Sequence, residues 1–147
     1  MKIYLDVCCL NRPFDDQRND RIKLESRAVG LILEGVEGKR FLLYASEIVF
    51  DEIENTPDQI KKHDMLSLCK DISEIIMLTE GIEVRGKQLY EKGFSAYDAL
   101  HLACCEAAGV DVFLTVDDNL IKRTVRLGNE IGVKVENPIL WIKEMID

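Results

Sequence analysis

The chain has 147 residues, of which 47% are hydrophobic and 31% charged, and it carries a formal charge of −8 at neutral pH. That length bounds it at one domain, residues 1–147, with a real core, and the composition excludes a disordered chain. The longest apolar runs are far too short to span a bilayer and no basic leader precedes the opening strand, so a cytoplasmic protein with no membrane segment is expected.

Taken in order, Lys2 to Val7 reads as a first β-strand, and Asn11-Arg12-Pro13-Phe14-Asp15-Asp16 breaks it with turn chemistry. From about Asp20, Ile22, Leu24, Ala28, Leu31, Ile32 and Val36 recur at helical spacing, and Gly38 can end that helix. Phe41 to Ala45 is a second strand, after which Ser46 can cap a helix carrying Ile48, Val49, Glu52 and Ile53. Asn55-Thr56-Pro57 punctuates the chain before a helix over Asp58–Leu68. Glu74–Leu78 reads as a short strand, and Glu83–Lys92 as a helix ended by Gly93. Ser95 starts an alanine-rich helix that stops at Gly109. Asp111–Val116 is a compact apolar strand, followed at once by Asp117-Asp118-Asn119 and a short basic helix. Lys134–Glu136 is a last strand, and Pro138 can open the closing helix with Trp141. Strands alternating with helices predict a three-layer α/β/α sandwich around a mainly parallel sheet.

Five cysteines, including the neighbours Cys8-Cys9 and Cys104-Cys105, lack the C-x-x-C spacing of a zinc or redox motif. Reduced, mostly buried thiols are the expectation. His63 and His101 are too few for a zinc site, and no third group orients a Cys–His101 nucleophile. The acidic charge argues against tight, non-specific binding of nucleic acid. Basic residues cluster locally, however, at Arg12, Arg18, Arg21 and Lys23, and again at Lys122, Arg123 and Arg126. For any one of them a solvated helix face is the commoner role.

Four acids stand where an apolar strand or a helix start meets a turn: Asp6, Glu52, Asp98 and Asp117. A parallel sheet gathers such positions along one edge. Carboxylates gathered there repel one another unless a cation joins them. Each has a plainer role as well. Asp6 can cap the following turn, and Glu52 can be a surface charge, with Glu47, Asp51 and Glu54 as competitors. Asp98 completes S-x-x-D after Ser95, a capping-box variant, and Asp117 can cap the basic helix.

These residues resemble the PIN-domain ribonucleases, a family that includes the VapC toxins of bacteria and archaea. The likeness runs from Lys2 to about Leu120. IYLDV is similar to the family's opening strand and first aspartate, and SEIVFDE to its serine followed six positions later by glutamate, which selects Glu52. SAYDALHLACCEAAGVDVFLTVDD resembles its most specific block and selects Asp98 and Asp117, with Thr115 at the hydroxyl position. The chain departs at Val7, where the family often has Thr or Ser, and in the acid- and arginine-rich loop NRPFDDQRND.

The resemblance implies a metal-dependent endoribonuclease leaving 5′-phosphate and 3′-hydroxyl ends. It also implies a homodimer, and a type II toxin with a small antitoxin protein as partner. Oxygen ligands without Cys or His favour Mg²⁺ or Mn²⁺, and two ions would sit about 3.5–4 Å apart. Asp6, Asp98 and Asp117 are the expected metal ligands, and Glu52 is an outer ligand or positions the attacking water. Thr115 and Asn119 are candidate supporting donors, and Arg12, Lys122 and Arg123 candidate RNA contacts. A HAD-type phosphatase would want a second aspartate where Cys8 stands, and a receiver domain an adjacent acidic pair and a late lysine. The non-enzymatic alternative is a PIN-like scaffold that binds RNA or protein.

Overall fold

The computed structural model describes residues 1–146. Five parallel strands form one sheet: β1 (Lys2–Leu5), β2 (Leu42–Ser46), β3 (Ile72–Ile76), β4 (Val112–Leu114) and β5 (Lys134–Glu136). Eight α-helices accompany them: α1 (Val7–Asn11), α2 (Asp20–Glu37), α3 (Glu47–Glu54), α4 (Gln59–Ser67), α5 (Glu80–Glu91), α6 (Ala96–Ala108), α7 (Asp118–Leu127) and α8 (Pro138–Ile146). Layered on both faces of the sheet, they give the expected α/β/α sandwich, and the sheet is parallel throughout.

The strand order is β3-β2-β1-β4-β5. The chain therefore steps outward from β1 to β3, then crosses back to lay β4 against the other side of β1. A crevice opens beyond the strand C-termini at such a reversal, and it is where open α/β sheets place their sites. The central strands are buried because helices cover both faces. Ile3 and Leu5 point to one side and Tyr4 to the other, where it stacks on Phe113, its partner in the β1–β4 register. On the far side of the chain's course, Phe41 packs on Trp141 of α8 at a ring separation of 4.9 Å.

Several boundaries differ from the sequence reading. The first strand stops at Leu5, because Asp6 takes extended dihedrals, accepts the Val7 N–H and starts α1, a short helix that the sequence analysis did not contain. The third strand lies two residues earlier than expected. Helix α5 starts at Glu80 rather than Glu83, since Thr79 accepts the Ile82 N–H as its cap. The buried stripe of α2 omits Leu24 and Leu31, which are exposed, and takes in Glu25, which is wholly buried. Gly109, at φ 65°, ends α6 in the left-handed conformation that suits glycine.

Candidate active site

Asp6 leaves β1 beside the point where β4 leaves the sheet, and its backbone N–H still donates to the Leu114 carbonyl at 2.9 Å. Its carboxylate is buried, at 5% exposure, in a hydrogen-bonded cradle. Oδ1 accepts the Val7 N–H at 2.8 Å. Oδ2 accepts the Thr115 hydroxyl at 2.8 Å and the Cys8 thiol at 3.3 Å. Thr115 in turn accepts the Asp117 N–H at 3.1 Å, so one hydroxyl ties the ends of β1 and β4 together.

Glu52 reaches the same place from α3. Its Oε1 lies 2.8 Å from His101 Nε2 on α6, and that nitrogen is 4.0 Å from Asp6 Oδ1. Asp6, Glu52 and His101 each offer a donor atom within 4.8 Å of the others, close enough to share one cation. His101 is fully buried, packed against the rings of Tyr4, Tyr97 and Phe113.

Asp98 and Asp117 stand outside that tight trio. The Ser95 side chain caps α6 by accepting the Asp98 N–H at 3.2 Å. Burial, reinforced by the nearby charges of Asp6 and Asp117, pushes that carboxyl up to about 6. Asp6 is likewise raised, first by burial and also by Glu52, against the opposing pull of His101, Thr115 and Cys8. Asp117 caps α7 by accepting the N–H groups of Asn119 and Leu120. Of the four acids chosen from sequence, Asp6 and Glu52 lie within reach of one cation; Asp98 is close enough to feel the charges of Asp6 and Asp117, and Asp117 stands exposed at the start of α7.

Of the supporting candidates, Thr115 contacts Asp6 directly, whereas Asn119 is exposed and serves the α7 cap through its backbone. The arginine of the early loop is already engaged: Arg12 donates to Asp15 and to Glu25 at 2.9 Å each. Lys122 is exposed on α7, and Arg123 lies over the Phe94 ring at 5.8 Å. The residue that the sequence analysis missed is His101. Its one signal was its position a helical turn after Asp98, on the same face. The cysteines are free, as expected; burial pushes Cys104 up to about 11 and raises Cys9 and Cys105 too, which makes poor nucleophiles of them.

The donor set suits a hard divalent cation, because carboxylate oxygens predominate; burial first, and neighbouring carboxylates after it, raise Asp6 and Asp98. No helix among the described residues is long and apolar enough to cross a membrane.

A family model described as PIN domain matches residues 3–126. Two solved structures share the fold across nearly the whole chain. The VapBC2 crystal structure from Rickettsia felis, bound to a DNA fragment from its promoter, aligns with TM-score 0.59 and 16% identity, covering 93% of this chain and 98% of that one. VapBC-1 from nontypeable Haemophilus influenzae aligns with TM-score 0.58 and 10% identity, covering 94% and 98%. Among curated proteins none matches the sequence significantly.

Proposed function

The chain belongs to the PIN-domain family, and from that premise we propose that it is a divalent-metal-dependent endoribonuclease, built as a single PIN-like domain over residues 1–147. The observation that carries the reading is the close approach of Asp6 and Glu52 near the sheet's reversal point, with Asp98 near enough that the Asp6 charge adds to burial in raising its carboxyl. A structural scaffold gains nothing from three carboxylates crowded into a partly buried pocket.

Asp6, Asp98 and Asp117 would hold Mg²⁺ or Mn²⁺, with Glu52 as an outer ligand or as the acceptor that orients the attacking water. When bound, the metal supplies Lewis-acid polarisation of the scissile phosphate and lowers the pKa of coordinated water. The protein's own part is placement. Thr115 and the Val7 N–H fix Asp6 so that it points into the crevice, and the α6 and α7 caps fix the starts of the two helices that bear Asp98 and Asp117. Lys122 and Arg123 lie on α7, the helix that Asp117 caps, where phosphates flanking the cut would pass.

The likeness to two VapBC structures is in keeping with a toxin held by a small antitoxin; a cytoplasmic homodimer is the proposed setting for this activity. The rival is a PIN-like scaffold that binds RNA or protein without cutting.

Asparagine separates these readings because it caps a helix nearly as well as aspartate yet brings no charge to a cation. Asp98→Asn and Asp117→Asn should fold like the parent and lose most Mn²⁺- or Mg²⁺-dependent cleavage of an RNA that the parent cuts. Folded variants with parent-level cleavage would reduce both residues to helix caps and favour the binding scaffold.

A further inference from the structure

His101 and Tyr4 belong to a buried chain of hydrogen bonds that begins and ends on α3. Ser46, the cap of that helix, lies with its Oγ 2.6 Å from the Tyr4 hydroxyl, which is itself 2.6 Å from His101 Nδ1. On the other side of the imidazole, Nε2 meets Glu52 Oε1 at 2.8 Å. Tyr4 and His101 are wholly buried, and so is Ser46.

The direction of every bond follows from counting protons. Ser46 Oγ accepts the N–H groups of Ile48 and Val49, at 3.2 and 3.4 Å, which uses both of its lone pairs. Its own proton is then the one left to donate, and Tyr4, at 2.6 Å, is the nearest oxygen placed to accept it. The Tyr4 hydroxyl then donates to His101 Nδ1, which consequently carries no proton. The ring proton sits on Nε2 and is donated to Glu52. The far end agrees: the opposite tautomer would set a nitrogen lone pair against a carboxylate oxygen 2.8 Å away. A doubly protonated ring would send the tyrosine proton back to a serine oxygen with no lone pair left.

We propose that His101, oriented by Tyr4, is a positioning residue for Glu52: it fixes the glutamate carboxylate at the acidic site and is not itself a metal ligand. This rests on the reading of that site as a metal centre. His101 gives Glu52 its one hydrogen bond among the described residues, so without it a long side chain, 29% exposed, would be free to swing. The chain also joins the elements that bear the other acids. Tyr4 lies two residues before Asp6, and His101 three residues after Asp98. Because the lone pair of His101 is turned inward to Tyr4, the cation meets oxygen only, and the preference for Mg²⁺ or Mn²⁺ survives a histidine within ligand distance.

The chain has just two histidines, which makes the test direct. In ¹⁵N-labelled protein, long-range ¹H–¹⁵N correlations of the rings should show His101 neutral with its proton on Nε2, unchanged when Mg²⁺ is added. A proton on Nδ1, or loss of the Nε2 proton on adding Mg²⁺, would overturn the proposal and make His101 a ligand. Calorimetric titration with Mg²⁺ supplies the second arm. His101→Leu should weaken binding by about ten-fold, as removal of an outer hydrogen-bond partner does. His101→Gln, whose amide N–H can still reach Glu52, should recover part of that loss, and Tyr4→Phe should fall between. Parent-level affinity in folded His101→Leu would sink the positioning role while leaving the metal centre intact. A parent that takes up no Mg²⁺ or Mn²⁺ would instead bring down the metal centre, and the positioning role with it.

Discussion

At Asp98 the protein is working against its own carboxyl chemistry. Burial and two neighbouring carboxylates hold its proton on up to about pH 6, above the usual aspartate range. A carboxyl whose folded pKa is raised binds more protons in the native state than in the unfolded chain through the interval between the two values. Stability must therefore fall as pH rises through that interval, from about 4 to about 6, and level off above it. Metal-free protein in EDTA should melt at lower temperature at pH 7 than at pH 5, an effect to which the raised Asp6 contributes in the same direction. Millimolar Mg²⁺ or Mn²⁺ should raise the melt at pH 7 and erase much of the trend, because a cation that binds only the folded state stabilises it by linkage. Identical melts with EDTA and with metal would contradict a cation site. The nearness of Asp6 and Asp98 was legible in sequence, since one ends a strand and the other starts a helix and topology gathers such boundaries. His101 was not legible, because a histidine inside an alanine-rich apolar helix has the pattern of a core residue, and only the hydrogen bonds at both ring nitrogens reveal its use.

Among the elements, the loop between α1 and α2 shows how pairing changes the meaning of a charged stretch. In sequence its arginines are candidates for phosphate contact. In the fold, Glu25 on α2 is fully buried and accepts hydrogen bonds from Arg12, Arg21 and Asn137, at 2.9, 3.1 and 2.8 Å. Arg21 continues to Asp118 at the start of α7, beside the acidic site. One buried carboxylate thus braces the loop, α2, α7 and the entry to α8. Removing it takes one of two carboxylate partners from the largely covered Arg12, which keeps Asp15, and leaves the Asn137 amide without its acceptor. Glu25→Ala should cost about 1–3 kcal/mol, the usual penalty for leaving covered donors without their acceptor, read as a lower urea midpoint at similar slope. A cost below about 1 kcal/mol, the range of surface pairs, would mean that the brace is ornamental. A charge in the buried stripe of α2 could not be inferred from periodicity, which assigned those positions to Leu24 and Leu31. Nor could α1: five residues are too few for intrinsic helicity, and that turn exists because Asp6 caps it and its apolar side chains pack inward. Helices α2, α3 and α6 and the central strands were legible because most of their periodic apolar residues and their caps agree with their burial.

For the whole molecule the question is how a chain of net charge −8 would hold RNA. Arg12 and Arg21 are committed to internal pairs, and Arg123 rests on Phe94, which leaves Lys122 as the exposed cation among the three candidate contacts. A surface so acidic would repel a polyanion unless the carboxylate cluster were first neutralised by its cation, which inverts the sign of the local field. Two consequences follow. Binding of a short single-stranded RNA, followed by fluorescence anisotropy in Ca²⁺, a hard cation that takes the same oxygen donors, should collapse when EDTA is added. Its salt dependence should also be shallow: about one or two phosphates neutralised by side chains, at roughly 0.7 counterion each on a single strand, give a slope of log K against log salt near −1. A groove-type binder that tracks the backbone with many basic residues would give a far steeper slope and would need no divalent ion. A steep, EDTA-insensitive titration would therefore favour the RNA-binding scaffold over the nuclease, and would place the contact surface away from the crevice where Asp6 and Glu52 meet.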